Sequence, residues 1–226
     1  MNFIKHVFAL LALVAASAGY AQKLAPAKKS PASVTWIVNS LENIGEPAKP
    51  IGAPKVIDTP FGKAVWFDGQ DDGLSINTNP LAEADAFTVE AIFRPDAGGN
   101  PQQRWLHIQE EGSDSRVLLE IRLSGEQWFL DTFIKSGESS RALYAEAFKH
   151  RAGEWYHVAL VYDGTTMRHY VDGREELSGP LAIKPLGGGN TSIGVRLNRV
   201  FWFKGAISKL RFTLVALTPK EFMAKN

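Results

Sequence analysis

Cysteine is absent from all 226 residues, which excludes disulfide cross-links, thiol nucleophiles and a lipid-modified N-terminal cysteine. Charge of one sign is not in excess either. The 25 Lys+Arg stand against 24 Asp+Glu, so there is no generally basic surface for nucleic acid or an anionic membrane. A long apolar run is missing too: a membrane-spanning helix needs roughly 20 apolar residues, and the stretch from Val7 to Ala16 is about half that. Convincing helical periodicity is nearly lacking throughout.

What is present begins with a leader. Lys5 and His6 precede the apolar stretch, and small residues follow it up to Gly19-Tyr20-Ala21. This order reads as a secretory signal peptide over residues 1–21, cut after Ala21. The expectation is a secreted or periplasmic protein that is not inserted in a membrane. Removing 21 residues from 226 leaves 205, a length that one all-β domain fills. The leader carries Lys5 and no acid, so the processed chain is charge-balanced. Residues 22–31, rich in Ala, Pro, Lys and Ser, cannot bury a core and read as a flexible linker. The domain is expected over residues 32–226.

From Ser33 onward, short segments rich in β-branched and aromatic residues alternate with Gly, Asp, Asn and Pro punctuation. That pattern predicts an all-β fold. The plainest hairpin joins Trp155–Tyr162 to Met167–Val171 through Asp163-Gly164, with a second Asp-Gly turn at Asp172-Gly173. Further strands are expected over 64–68, 73–76, 87–94, 104–109, 116–123, 127–134, 191–195 and 206–213. Thr218-Pro219-Lys220-Glu221 fits a capping box and predicts a short C-terminal helix. Without disulfides, two sheets must be held by their packed inner faces; Trp66, Trp155 and several Phe are the expected core.

Four segments carry a resemblance. They are Gly62–Gly73 with Trp66-Phe67-Asp68-Gly69, Phe87–Pro95, Glu154–Gly164 with Tyr170–Gly173, and Phe203–Ser208. In this order they resemble the laminin-G/concanavalin A-like lectin/glucanase superfamily, particularly its bacterial secreted LamG branch. The resemblance implies a two-sheet antiparallel β-sandwich, a jelly roll with one concave face. It is much less specific for activity, because one scaffold hosts many functions. It also implies a calcium ion near Asp68, Asp71 and Asp72. Ser208 stands where a further acid is usual, which removes a hard oxygen ligand from that set, and the plainer reading is that the three aspartates brace a turn. No cofactor is therefore assigned.

Period-two alternation sorts the middle strands into faces. One face carries Trp105, His107 and Gln109; the next strand adds Leu118, Glu120 and Arg122; the next adds Phe129, Asp131, Phe133 and Lys135. Glu90 and Arg94 share a face of an earlier strand. Planar rings present apolar surface to sugar C–H groups, while amides, carboxylates and guanidiniums bond hydroxyls. The expected partner is thus a glycan or polysaccharide, held by a polar sheet face. The resemblance extends that face to His169 and to Arg196, Asn198, Arg199 and Trp202. The ordinary alternative is a solvated face with cross-strand Glu–Arg pairs.

No complete catalytic set is spelled out. Glu120 is followed by Arg122 where the familiar acid run on this fold would place another acid, so an acid pair must cross strands, as Glu120 with Asp131 or Glu90. His107, Gln109, Arg122 and Lys135 have the chemistry of a lyase set. His107, Glu120 and Asp131 are therefore the catalytic candidates. His157 and His169 could face each other across a hairpin, but the five histidines lack zinc spacing. Three readings stay open: a lectin-like binding domain, a glycan-cleaving hydrolase or lyase, and a structural or adhesive envelope domain.

Overall fold

The computed structural model describes residues 32–225. The expected signal peptide and linker lie outside the described residues. Among the described residues sixteen strands run in chain order: β1 (Ser33–Ile37), β2 (Lys49–Ile51), β3 (Lys55–Thr59), β4 (Gly62–Asp68), β5 (Gly73–Ile76), β6 (Phe87–Pro95), β7 (Gln102–Glu110), β8 (Arg116–Ser124), β9 (Gln127–Ser136), β10 (Ser139–Tyr144), β11 (His150–Arg151), β12 (Tyr156–Tyr162), β13 (Thr166–Val171), β14 (Arg174–Pro180), β15 (Gly189–Ile193) and β16 (Lys204–Thr213). The expected C-terminal helix is a single 3-10 turn, Pro219–Glu221. It closes as the capping box predicts, with the Thr218 amide and hydroxyl donating to the Glu221 carboxylate at 2.9 and 2.8 Å.

Two antiparallel sheets of eight strands each make a sandwich. The first is ordered β14-β13-β12-β6-β16-β4-β3, with β1 also on β16; the second is ordered β10-β9-β8-β7-β15-β5-β2, with β11 also on β9. In the first sheet β4 pairs with Lys204–Ile207 and β1 with Lys209–Thr213. The two thus share one flank of β16, meeting at the register shift around Ser208.

The inner faces of both sheets supply one core, which includes Trp36, Phe67, Phe93, Trp105, Trp128, Phe203 and Phe212, all fully or nearly fully buried. Each large apolar side chain so buried contributes about 1.5–3 kcal/mol, and Phe93 meets Trp105, Trp128 and Phe203 at centroid distances of 4.8, 5.2 and 6.2 Å. Two expected core residues are not there. Trp66 and Trp155 are half-buried on the outside, Trp66 donating to Asp96 at 3.0 Å and Trp155 lying under the Arg94 guanidinium. Alternation explains it: the neighbours Val65, Phe67 and Tyr156 take the inward positions.

Candidate functional site

Strands β7, β8, β9 and β10 lie side by side, and their register sets outward-facing residues in rows. Arg104, Glu120, Asp131 and Tyr144 form one row. His107, Leu118, Phe133 and Ala142 form the next. Arg122 stands opposite Phe129 on the far side of Glu120. Rows like these are the contact units of an antiparallel sheet.

A β-bulge determines what stands at the head of the first row. The β7–β8 register shifts between Arg104 and Leu106, so Arg104 opposes Glu120 while Leu106 opposes Leu119. Trp105 is the extra residue. Unbroken alternation would have set Trp105 opposite Glu120, as the sequence suggested; instead it turns into the core and stacks near Phe93. Bulges re-aim side chains in this way. The result is a guanidinium in place of an indole beside Glu120.

Two ion pairs follow. Arg104 Nε donates to Glu120 Oε1 at 2.6 Å, and Arg122 Nε donates to Asp131 Oδ2 at 2.6 Å. Both carboxylates are buried, at 4% and 1% exposure. Burial pushes the Glu120 carboxyl up to about 7; the Asp131 charge and a hydrogen bond with Asp131 add to this, and Arg104 opposes it. Asp131 Oδ1 has no hydrogen-bond partner among the described residues.

The loop between β15 and β16 covers one side. It opens at Gly194, whose φ of +81° suits glycine and where a Cβ would collide with the Phe67 ring. Arg104 N donates to Phe201 O at 2.8 Å and Leu197 N to His107 Nδ1 at 2.9 Å. Arg199 and Phe201 hold left-handed φ of 59° and 62°, a conformation that non-glycine residues adopt at a cost. The loop thereby lays the Phe201 ring 3.7 Å from the Arg104 guanidinium. It also brings in Arg196.

The resulting groove, about 200 Å³, is lined by Arg104, Arg116, Glu120, Arg122, Asp131 and Arg196, together with Phe133. His107 lies buried beside it at 1% exposure. Burial, then the Arg196 and Arg116 charges, push its imidazole down to about 3, so the ring is neutral. Because Nδ1 accepts from Leu197, the proton sits on Nε2, and that donor has no partner among the described residues.

Other expected residues go elsewhere. Gln109 donates to Ser113 O at 2.6 Å and lines a separate hollow of about 430 Å³ with Asn77, Glu110 and Asn190. Lys135 reaches away to Asp114 at 2.6 Å. His169 points between the sheets at 1% exposure, 3.1 Å from Thr132 Oγ1, and burial pushes it down to about 4. It pairs in register with Leu160, not His157, and the two histidines occupy opposite faces of the first sheet. Trp202 is half-buried in the loop outside the groove lining. Glu90 belongs to the first sheet, out of reach of Glu120. Arg104 and Arg116 were missed. Arg116 is two residues before Leu118, so alternation already put it on this face, whereas Arg104 depends on the bulge.

Oxygens of Asp68, Asp71 and Asp72 lie within 4.8 Å of one another. Asp72 accepts the Ala53 and Asp68 amides at 2.7 and 3.2 Å, and Asp68 accepts those of Gln70 and Asp71 at 2.8 and 3.2 Å. This is a loop clasp, and calcium's six to eight oxygens would need ligands beyond these three. Ser208 is no such ligand; its hydroxyl bonds Ile92 O, four residues along β16 from the partner of Asp68.

A family model described as the concanavalin A-like lectin/glucanases superfamily matches residues 68–222. Among solved structures, domain 4 of AbnA, a GH43 extracellular arabinanase from Geobacillus stearothermophilus, in complex with arabinotriose, aligns with TM-score 0.62 and 19% identity, over 83% of this chain and 94% of that one. The CBM40 of a Ruminococcus gnavus IT-sialidase bound to α2,3-sialyllactose aligns with TM-score 0.55 and 18% identity, over 76% and 95%. The binding domain of Paraclostridial Mosquitocidal Protein 1 aligns with TM-score 0.63 and 11% identity over 83% of this chain; the match spans about half of that chain, 49%. No curated protein matches the sequence.

Proposed function

The chain belongs to the concanavalin A-like lectin/glucanases superfamily, and from that premise we propose that residues 32–226 are a carbohydrate-binding domain holding a glycan in the Arg104–Glu120–Arg122–Asp131 groove. One observation carries this reading: buried carboxylates and several guanidiniums share a solvent-reached groove flanked by the exposed rings of Tyr144 and Phe201, at 57% and 37% exposure. Such a mixture bonds sugar hydroxyls and stacks against pyranose faces. Two of the structural neighbours carry arabinotriose and sialyllactose in their described complexes, which supports the assignment. The groove is smaller than the roughly 300–1,000 Å³ of drug-sized sites, and so suits one sugar unit of a longer chain.

The test is a broad glycan array followed by calorimetry on the best soluble oligosaccharide. Binding is expected, with Arg122→Ala weakening it at least tenfold; no binding on the array, or an unchanged affinity for Arg122→Ala, overturns the reading. Residues 1–21 act in this proposal as a cleaved signal peptide delivering the domain outside the cytoplasm. Mass spectrometry of exported protein should then find Gln22 at its N-terminus.

The raised Glu120 favours a second reading, glycan cleavage by an acid pair. Against it, Glu120 and Asp131 are direct cross-strand neighbours and each is committed to an arginine. A retaining pair instead stands about 5–5.5 Å apart across the scissile bond. Reducing-end and unsaturated-uronate assays decide: products that vanish in Glu120→Gln would make the groove an active site.

A further inference from the structure

We infer that the groove recognises its sugar through an anionic substituent, a carboxylate or sulfate, captured by Arg116, Arg196 and His107 Nε2–H. The inference rests on the groove being a glycan site and adds the class of glycan.

Charge matching comes first. Four guanidiniums face two carboxylates. Arg104 and Arg122 each take one of those carboxylates. Arg116 and Arg196 have no carboxylate partner among the described residues; Arg116 bonds only the Asp114 carbonyl, at 2.7 Å, and lies 4.9 Å over Phe133. With both acids ionised the surplus is two positive charges in a partly buried place, and a protonated Glu120 enlarges it.

Unmade hydrogen bonds point the same way. Arg116 Nε, Arg196 Nε and His107 Nε2 are all buried donors without a partner among the described residues. A buried donor left without an acceptor destabilises the free protein, and a ligand oxygen that supplies the acceptor recovers that loss. His107 is the most telling, because it is 1% exposed and its other nitrogen is already used. Arg116 and Arg104 also repel Arg196, and burial comes before either in holding its guanidinium below the usual range. An anionic oxygen group answers all of this at once, supplying acceptors to the donors and charge to the two arginines. A neutral sugar supplies acceptors only.

Glu120 fits the same scheme. Facing Arg104 on β7, Asp131 on β9 and Arg196 in the loop, with Arg116 and Arg122 on its own strand, it holds a proton up to about 7. Protonated, it does not repel the arriving anion. Ionisation above pH 7 adds a competing negative charge, so acidic-sugar affinity should fall as pH rises through 7.

Calorimetry on the full domain with matched probes tests this: oligogalacturonate against its methyl ester for carboxylate, and a heparin oligosaccharide against its desulfated form for sulfate. The expected result is at least tenfold tighter binding of one acidic member, weakening with added NaCl. Arg196→Ala should abolish the preference, Arg196→Lys should restore part of it, and Glu120→Gln should flatten the pH dependence. Thermal melts of Arg196→Ala at or above the parent Tm exclude misfolding. Equal binding of both members of each pair overturns the anionic inference and leaves the glycan reading intact. Binding of neither overturns both, and equal binding of inorganic polyphosphate, with no dependence on the sugar, overturns the sugar-acid assignment.

Discussion

The outer faces of the two sheets each bury a glutamate among arginine and histidine, yet they differ in completeness. On the first sheet Glu90, fully buried, accepts from His157 at 3.0 Å, from the Met223 amide at 2.7 Å and from Arg211. Burial works to raise its carboxyl, and these hydrogen bonds outweigh it and hold the group below its usual range. The C-terminal segment seals the nest, with Phe222 packed 5.4 Å from His157 and 5.2 Å from Tyr170. On the second sheet Glu120 moves the other way, and four buried polar atoms around it stay unmatched: His107 Nε2, Arg116 Nε, Arg196 Nε and Asp131 Oδ1. A buried charge whose bonds are all made serves the fold, whereas one among unmade bonds is ready for something else.

The contrast yields measurements. The largest effect should come from Glu90→Ala, which leaves Arg211, His157 and the Met223 amide without their acceptor; urea unfolding should register a loss of about 3–5 kcal/mol. Glu120→Gln is expected to leave stability near neutral or raise it. The two acids should also give opposite pH slopes in thermal melts. Glu90, with its pKa depressed, contributes stability above its unfolded pKa that is lost as pH falls through the folded value. Glu120, raised to about 7, contributes stability at pH below about 4.5 that is lost as pH climbs through 7. The second slope should vanish in Glu120→Gln, for a difference of roughly 1–3 kcal/mol; a slope that persists would break the comparison. Phe222→Ala should cost about 1–2 kcal/mol by loosening the seal over Glu90, without altering ligand binding in calorimetry. The smallest change is expected from Arg196→Ala without ligand, a shift of under about 1 kcal/mol towards greater stability as repulsion with Arg116 is relieved.

Sequence alternation revealed most of the sandwich, because its strands bury one face and punctuate their ends with Gly and Asp. Weakly marked pieces escaped: β2 spans three residues and β11 two, and β3 and β10 carry mostly exposed side chains with no buried stripe to read. Within the groove, Glu120, Arg122 and Asp131 were legible because β8 and β9 pair without a shift. Trp105 and Arg104 were not, since one inserted residue inverts the faces before it and no turn residue announces it. His169 escaped for a different reason, as alternation separates two faces without saying which turns inward. Glu90 was misjudged because sheet membership depends on strand order, which local pattern does not carry.

The bulge at Trp105 makes the groove's chemistry a matter of counting residues as much as of choosing them. Deleting Arg104, so that β7 runs against β8 in unbroken register, would withdraw the guanidinium and present the Trp105 indole beside Glu120. An ionic contact would become a flat stacking platform, the kind of surface that favours uncharged sugar rings. Ligand preference on this scaffold can therefore change through a one-codon deletion, with every groove side chain of β8 and β9 left as it is.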